Sequence, residues 1–103
     1  MKACILMASP KPKGNTATLL KPFIDELRKK EVEIDYIFLY DKRIDSCYDC
    51  RTCQNILDEF GCPRKDDVDS IVNSILGSDC IVLATPIYSW YCTPPMKALL
   101  DRL

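Results

Sequence analysis

The sequence predicts an α/β fold: a doubly wound parallel sheet, of which this chain carries the first three strands in the spatial order 2-1-3. Three observations point there. Apolar runs of strand length alternate with segments of helical period, an order that implies parallel strands joined by right-handed crossovers. The third run, CIVLAT from Cys80 to Thr85, is continuously apolar, as expected of a central parallel strand covered on both faces. Polar loops follow the first and third runs, and open sheets of this kind bind ligands beyond the carboxyl ends of strands where strand order reverses. With the order 2-1-3 those two loops are neighbours.

The elements follow in order. Ala3 to Ala8 reads as a buried strand, and SPKPKGNT, Ser9 to Thr16, as the loop after it. From Thr16 to Lys30 the residues Leu19, Leu20, Phe23, Ile24 and Leu27 share one helical face. Pro22 lies inside that pattern; it removes one backbone hydrogen bond and should bend the helix. EIDYIFLY, Glu33 to Tyr40, is rich in aromatic and β-branched residues and reads as the second strand. A polar connection and a cysteine-rich loop, Cys47 to Cys62, come next. Asp66 and Asp67 can cap a helix whose Val68, Ile71, Val72, Ile75 and Leu76 keep a period near 3.6, with Gly77 suited to its end. After the third strand a loop, Pro86 to Pro94, leads into a last helix starting near Pro95. The final residues are amphipathic, and a buried-type third strand with an open edge suggests the N-terminal part of a larger protein, or a second chain over that edge.

Bulk numbers narrow the function classes. A length of 103 residues allows one domain, and 48% apolar with 28% charged residues is a globular balance rather than a disordered one. The net charge of −1 gives no reason to expect nucleic acid or an anionic membrane as partner. No apolar run approaches the ~20 residues that cross a bilayer, so the expected location is the cytoplasm. Seven cysteines without a secretory signal read as reduced thiols, some of them metal ligands, rather than a disulfide scaffold. The chain has no histidine. That removes Ser-His-Asp and Cys-His catalysis and leaves the chemistry to a cofactor, thiolates, carboxylates or tyrosine.

Three stretches can carry chemistry. A loop passing from a strand into a helix N-terminus presents unpaired N–H groups and the positive end of the helix dipole, which makes it an anion site. Ser9, Asn15, Thr16 and Thr18 add possible donors, and Lys11 and Lys13 add charge. The plainer alternative is an ordinary turn capped by Asn15 or Thr16. Pro86, Ile87, Tyr88, Ser89, Trp90 and Tyr91 place three aromatic rings after a buried strand, flat surfaces for a heterocycle or cover for the core or an oligomer interface. Cys47-x2-Cys50-x2-Cys53-x8-Cys62-Pro63 lets one tight loop aim three sulfurs at a common centre, with a fourth to close the cage. Four thiolates suit a [4Fe–4S] cluster or tetrahedral zinc, and unmetallated thiols are the third possibility. Cys4 and Cys80, in strands, read as small core residues. Cys92 receives no role, although it could be a thiol beside the second loop. The scattered acidic residues read as solvated faces.

SPKPKGNT, the four-cysteine loop, the following DDV and ATPIY…PPMKALLDR together resemble the flavodoxin-like NADPH-dependent FMN reductases, and among them the iron–sulfur flavoprotein branch. The resemblance runs in order along essentially the whole chain. It implies that residues 1–103 are the N-terminal part of one flavodoxin-like FMN-binding domain, with a cysteine-rich insertion at 47–62. It implies FMN held at the two loops: Ser9, Lys11, Asn15 and Thr16 on the ribityl phosphate, and Pro86, Ile87, Tyr88, Ser89 and Trp90 beside the isoalloxazine. Cys47, Cys50, Cys53 and Cys62 resemble the ligands of the branch's [4Fe–4S] cluster, although the last gap is at the long end of that pattern. The family usually has arginine where Lys11 stands, and Pro12 is unexpected. A third flavin-contacting loop, after the family's fourth strand, would lie beyond Leu103.

The expected function is an FMN-dependent oxidoreductase taking a hydride from NAD(P)H or another donor and passing electrons on, with the cluster as one-electron acceptor and a homodimer or homotetramer as the working unit. The alternatives are an electron carrier served by a ferredoxin-like donor, and a zinc-stapled module that binds another nucleotide. No catalytic side chain is expected, because the flavin carries the bond making.

Overall fold

The computed structural model describes all residues, Met1 to Leu103. Its strands are β1 (Lys2–Met7), β2 (Glu33–Phe38) and β3 (Cys80–Ala84), and its helices α1 (Asn15–Lys29), α2 (Val68–Leu76) and α3 (Pro94–Asp101). The sheet is parallel with the order β2-β1-β3, as the alternation of runs requires. No helix is long and apolar enough to cross a membrane.

β1 is the centre. Every residue from Ala3 to Ser9 is buried, because both of its edges are paired and both of its faces are covered. Alternation along the strand splits the core in two. Ile5 and Met7 meet Leu20 of α1 and Ala84 on one face, while Cys4, Leu6 and Ala8 meet Val68, Ile71 and Val72 of α2 and Met96 and Leu99 of α3 on the other. Burying a side chain of this size stabilises the fold by about 1.5–3 kcal/mol.

The local details depart from the sequence expectation in instructive places. Helix α1 begins one residue early and is capped by Gly14, without any side-chain cap from Asn15 or Thr16. It runs through Pro22 unbroken; the carbonyl freed by the proline belongs to Thr18, an exposed residue, where water can satisfy it. Leu19, expected on the core face, is 80% exposed, and Leu20 carries the contact instead. The helix ends in a Schellman arrangement, Glu31 N–H to Arg28 O and Val32 N–H to Leu27 O, with Glu31 in the left-handed region that glycine usually fills. β2 stops at Phe38, and Leu39 to Asp41 form a single 3₁₀ turn.

β3 is not covered on both faces. It is an edge strand here, with Ile81 and Leu83 about half exposed and Cys80 exposed rather than in the core. An apolar strand needs a neighbour on each side to be buried, and this one pairs only with β1. Cys4 is buried as expected, and Cys92 is half-buried against the α2–α3 side of the core.

Candidate functional site: two joined turns and a cysteine loop

Gly14 is where the first turn closes. Its N–H donates to Lys11 O at 3.1 Å, and its carbonyl accepts from both the N–H and the hydroxyl of Thr18 at 3.0 Å. A Cβ on Gly14 would stand 2.9 Å from the Cβ of Lys11, so only glycine permits the closure. The consequence is that the N–H groups of Asn15, Thr16 and Ala17 donate to no backbone or side-chain acceptor. No acidic residue lies in the first helical turn to occupy them. Lys11 and Lys13 are exposed at the same place. Buried Ser9 accepts the Lys11 N–H at 3.2 Å, which leaves its hydroxyl proton without an acceptor in the protein. Thr18 is committed to Gly14 and is not a donor to a ligand. Three free amides, a hydroxyl proton and two cations are a donor set that a phosphate dianion can use, and neither Asn15 nor Thr16 caps the helix.

The loop after β3 contains one tight turn, closed between Tyr88 and Tyr91, with Pro86 and Ile87 leading into it. Tyr88 and Tyr91 exchange backbone hydrogen bonds of 2.7 and 2.9 Å, with Ser89 and Trp90 at φ 48° and 71° between them. Positive φ at both central positions defines a type I′ turn, normally built from Asn and Gly. Ser and Trp occupy it at a conformational cost of about 1–3 kcal/mol each. Trp90 is 99% exposed and Ile87, Tyr88 and Tyr91 are exposed as well, so Trp90 covers no core in this chain.

Thr93, which the sequence reading did not single out, joins the two turns. Its hydroxyl donates to Ala8 O at 2.7 Å, just before the first turn, and its N–H donates to the Thr85 hydroxyl at 3.1 Å, just before the second. Ala8 N–H donates to Ala84 O at 2.8 Å, completing the junction. The only sequence signal was a hydroxyl residue ahead of Pro94-Pro95, which reads as a helix cap; the side chain instead reaches the central strand.

The cysteine loop lies apart from this junction. Cys47, Cys50, Cys53 and Cys62 line one cavity of about 330 Å³, the first three exposed and Cys62 half-buried. Asp49 and Arg51, on either side of Cys50, are both left-handed, so the chain reverses twice around that residue. The Cys50 thiol is shifted down by the backbone N–H and then the hydroxyl of Thr52. Gly61 lets the loop double back: a Cβ there would stand 2.8 Å from the Ile56 Cβ and 3.1 Å from the Cys53 Cα. The four sulfurs share a cavity, but no three ligating groups converge as a single metal ion requires. Zinc would gather its sulfurs about 2.3 Å from one point. A four-iron cluster takes its thiolates spaced around a larger body, which four cysteines distributed over one cavity match better than a single converging point.

The neck of this loop is a network. Asp66 accepts the N–H groups of Asp45 at 2.9 Å and Val68 at 3.1 Å and pairs with Arg102, while Asp67 accepts the Arg43 N–H at 2.6 Å. The sequence expects both aspartates as helix caps; Asp67 stands at the cap position without a side-chain cap bond, and both carboxylates staple the loop instead, Asp66 keeping one bond to the helix from the Val68 N–H. Burial pushes the Asp66 carboxyl up, but the Arg102 hydrogen bond, the two N–H groups and the Arg102 charge outweigh it and hold it at about 2. Arg64 lies 3.4 Å over the Tyr48 ring and pairs with Asp45 at 3.4 Å.

A parallel sheet with a free helix N-terminus after its central strand and an aromatic turn after its neighbour defines a flavodoxin-like nucleotide-binding class. The chain belongs to the NADPH-dependent FMN reductase family, whose profile matches residues 1–103. It is 33% identical over 102 residues to an iron–sulfur flavoprotein of Methanocaldococcus jannaschii, covering 99% of this chain and 51% of that protein. It is 32% identical over 103 residues to one of Archaeoglobus fulgidus, covering 100% and 46%. The chain therefore spans about half the length of these relatives. Among solved structures, the NAD(P)H:quinone oxidoreductase of Methanothermobacter marburgensis superposes with a TM-score of 0.79 at 24% identity, over 99% of this chain and 52% of that one. RosB, solved with 8-demethyl-8-formylriboflavin-5'-phosphate, superposes with a TM-score of 0.76 at 21% identity, over 99% and 41%.

Proposed function

We propose that this chain forms the FMN-binding half of an NAD(P)H-dependent flavin oxidoreductase that passes electrons onward through a [4Fe–4S] cluster at Cys47, Cys50, Cys53 and Cys62. The observation that carries the flavin assignment is the set of free N–H groups at Asn15, Thr16 and Ala17, fixed beside the aromatic turn by Thr93. Those amides, with Ser9 and Lys11, hold the ribityl phosphate. Pro86, Ile87, Tyr88, Ser89 and Trp90 flank the ring system, and the exposed face of Trp90 gives it a stacking surface. Bound FMN supplies hydride acceptance from a nicotinamide and release of electrons one at a time. The protein's part is to hold the phosphate and to orient the ring against the aromatic turn. The cluster assignment is supported by the four cysteines on one cavity and by the iron–sulfur names of the relatives. The working unit is a cytoplasmic homodimer or homotetramer, with NAD(P)H or a ferredoxin-like protein as donor.

Protein purified without oxygen tests this. Flavin bands with a broad brown shoulder, and rapid bleaching of the flavin by NAD(P)H, are expected. A colourless zinc-containing protein contradicts the proposal, and a flavin that NAD(P)H does not bleach contradicts the reductase part of it.

A further inference from the structure

Arg102 follows helix α3 and its side chain is fully buried. A buried cation is costly unless its charge and its N–H groups are all matched. Here the charge is paired and each of the three nitrogens donates at least once, and every partner belongs to the cysteine loop or its neck. Nε donates to Cys62 Sγ at 3.4 Å, Nη1 to Asp45 O at 3.0 Å and to the Asp66 carboxylate, and Nη2 to Arg64 O at 3.4 Å. None of these contacts serves the hydrophobic core, and an apolar side chain would fill the space without them. Only the planar fork of arginine reaches a sulfur, two carbonyls and a carboxylate at once; the point charge of lysine cannot.

We propose that Arg102 is a positioning residue for the cysteine loop: its guanidinium closes the neck and holds the Cys62 sulfur at the cavity that Cys47, Cys50 and Cys53 also line. The proposal rests on reading those four thiols as metal ligands. Outer partners that orient a ligand in this way tune its affinity for metal as the ligands themselves do. Cys62 is the member of the set that most needs such help, because it lies farthest along the chain from the other three. Its neighbour Gly61 brings the backbone back to Cys53, and Arg102 fixes where the sulfur then lies.

The test uses the full chain, reconstituted without oxygen with ferrous iron and sulfide, following bound iron and the broad thiolate-to-iron charge-transfer absorption. Wild type is compared with Cys62→Ser, with Arg102→Lys and with the double variant Arg102→Met/Asp66→Asn. The double variant leaves no unpaired buried charge, but an asparagine at 66 has one acceptor oxygen and keeps only one of the bonds from the Asp45 and Val68 N–H groups; far-UV circular dichroism checks that it folds, and Arg102→Lys, which keeps Asp66, reads the proposal if it does not. Its expected metal affinity, read by competition with an iron chelator, falls about 10- to 100-fold, and its charge-transfer intensity drops to that of Cys62→Ser. Arg102→Lys falls between the two. A merely structural arginine would lower the melting temperature without converting the spectrum to that of the missing thiol. Wild-type affinity and spectrum in the double variant overturn the proposal while leaving the metal reading intact. A wild-type chain that takes up no iron through its thiols overturns the metal reading, and the proposal with it.

Discussion

The hydroxyl of Thr93 donates to the carbonyl of Ala8 at 2.7 Å, across 85 positions of sequence, and that bond ties the turn after β1 to the turn after β3. Both groups are buried, so the carbonyl has no water to turn to when the hydroxyl is lost. Thr93→Val is expected to cost about 1–3 kcal/mol, the penalty of an unsatisfied buried acceptor, and to weaken FMN binding as the turns separate. Thr93→Ser keeps the hydroxyl and should recover most of both. Urea unfolding and flavin titration of the pair check this; equal stability of the valine and serine variants would remove the junction from the account.

Asn15 separates a phosphate site from a plain helix start by the sign of two effects. A carboxylate in the first turn stabilises a helix by about 0.3–1 kcal/mol, yet it would repel a bound phosphate. Asn15→Asp is therefore expected to raise the melting temperature slightly while weakening FMN at least tenfold, and to leave riboflavin affinity nearly unchanged. Thermal melts with parallel titrations of the two flavins read both signs.

Trp90 sets stability against binding. Its side chain is 99% exposed and its φ is 71°, so glycine loses no packing and gains an allowed conformation. Trp90→Gly should stabilise the chain by about 0.5–1 kcal/mol and weaken flavin binding through loss of the stacking face. A variant less stable than wild type, with unchanged flavin affinity, would mean that the indole has another role.

Asp66 gives the chain an acid limb. Its carboxyl is held at about 2 in the fold against 3.8 ordinarily. A depressed folded-state value contributes stability that is fully present above the unfolded value and is lost as pH falls through the folded one. The pair thus contributes about 2 kcal/mol above pH ~4, lost progressively towards pH ~2. Urea midpoints of wild type and Asp66→Asn across that range should converge as pH falls; a constant difference contradicts the assignment.

The sheet was legible because β1 and its neighbours are runs whose length and apolar continuity allow little else, and the strand order followed from the alternation. The places where reading failed share a cause, a residue whose partner is remote in sequence or absent from the chain. Nothing in the sequence marks Thr93 as the tie between the turns, because its Ala8 acceptor lies at the other end of the chain, and Arg102 reads only as the end of an amphipathic helix, because its four partners lie in the cysteine neck. Ile81 and Leu83 carry the composition of a strand with two neighbours, and only one is present. The tight turn at Ser89 and Trp90 was hidden because neither is a residue that type I′ turns ordinarily select.

The most direct measurement is the amide spectrum of isotope-labelled protein during FMN titration. The N–H resonances of Asn15, Thr16 and Ala17 should shift downfield most, together with those of Tyr88 to Tyr91, while riboflavin moves only the second group. FMN shifts that leave the first turn of α1 untouched, or that spread over surfaces away from both turns, would contradict a flavin phosphate gripped where β1 and β3 end.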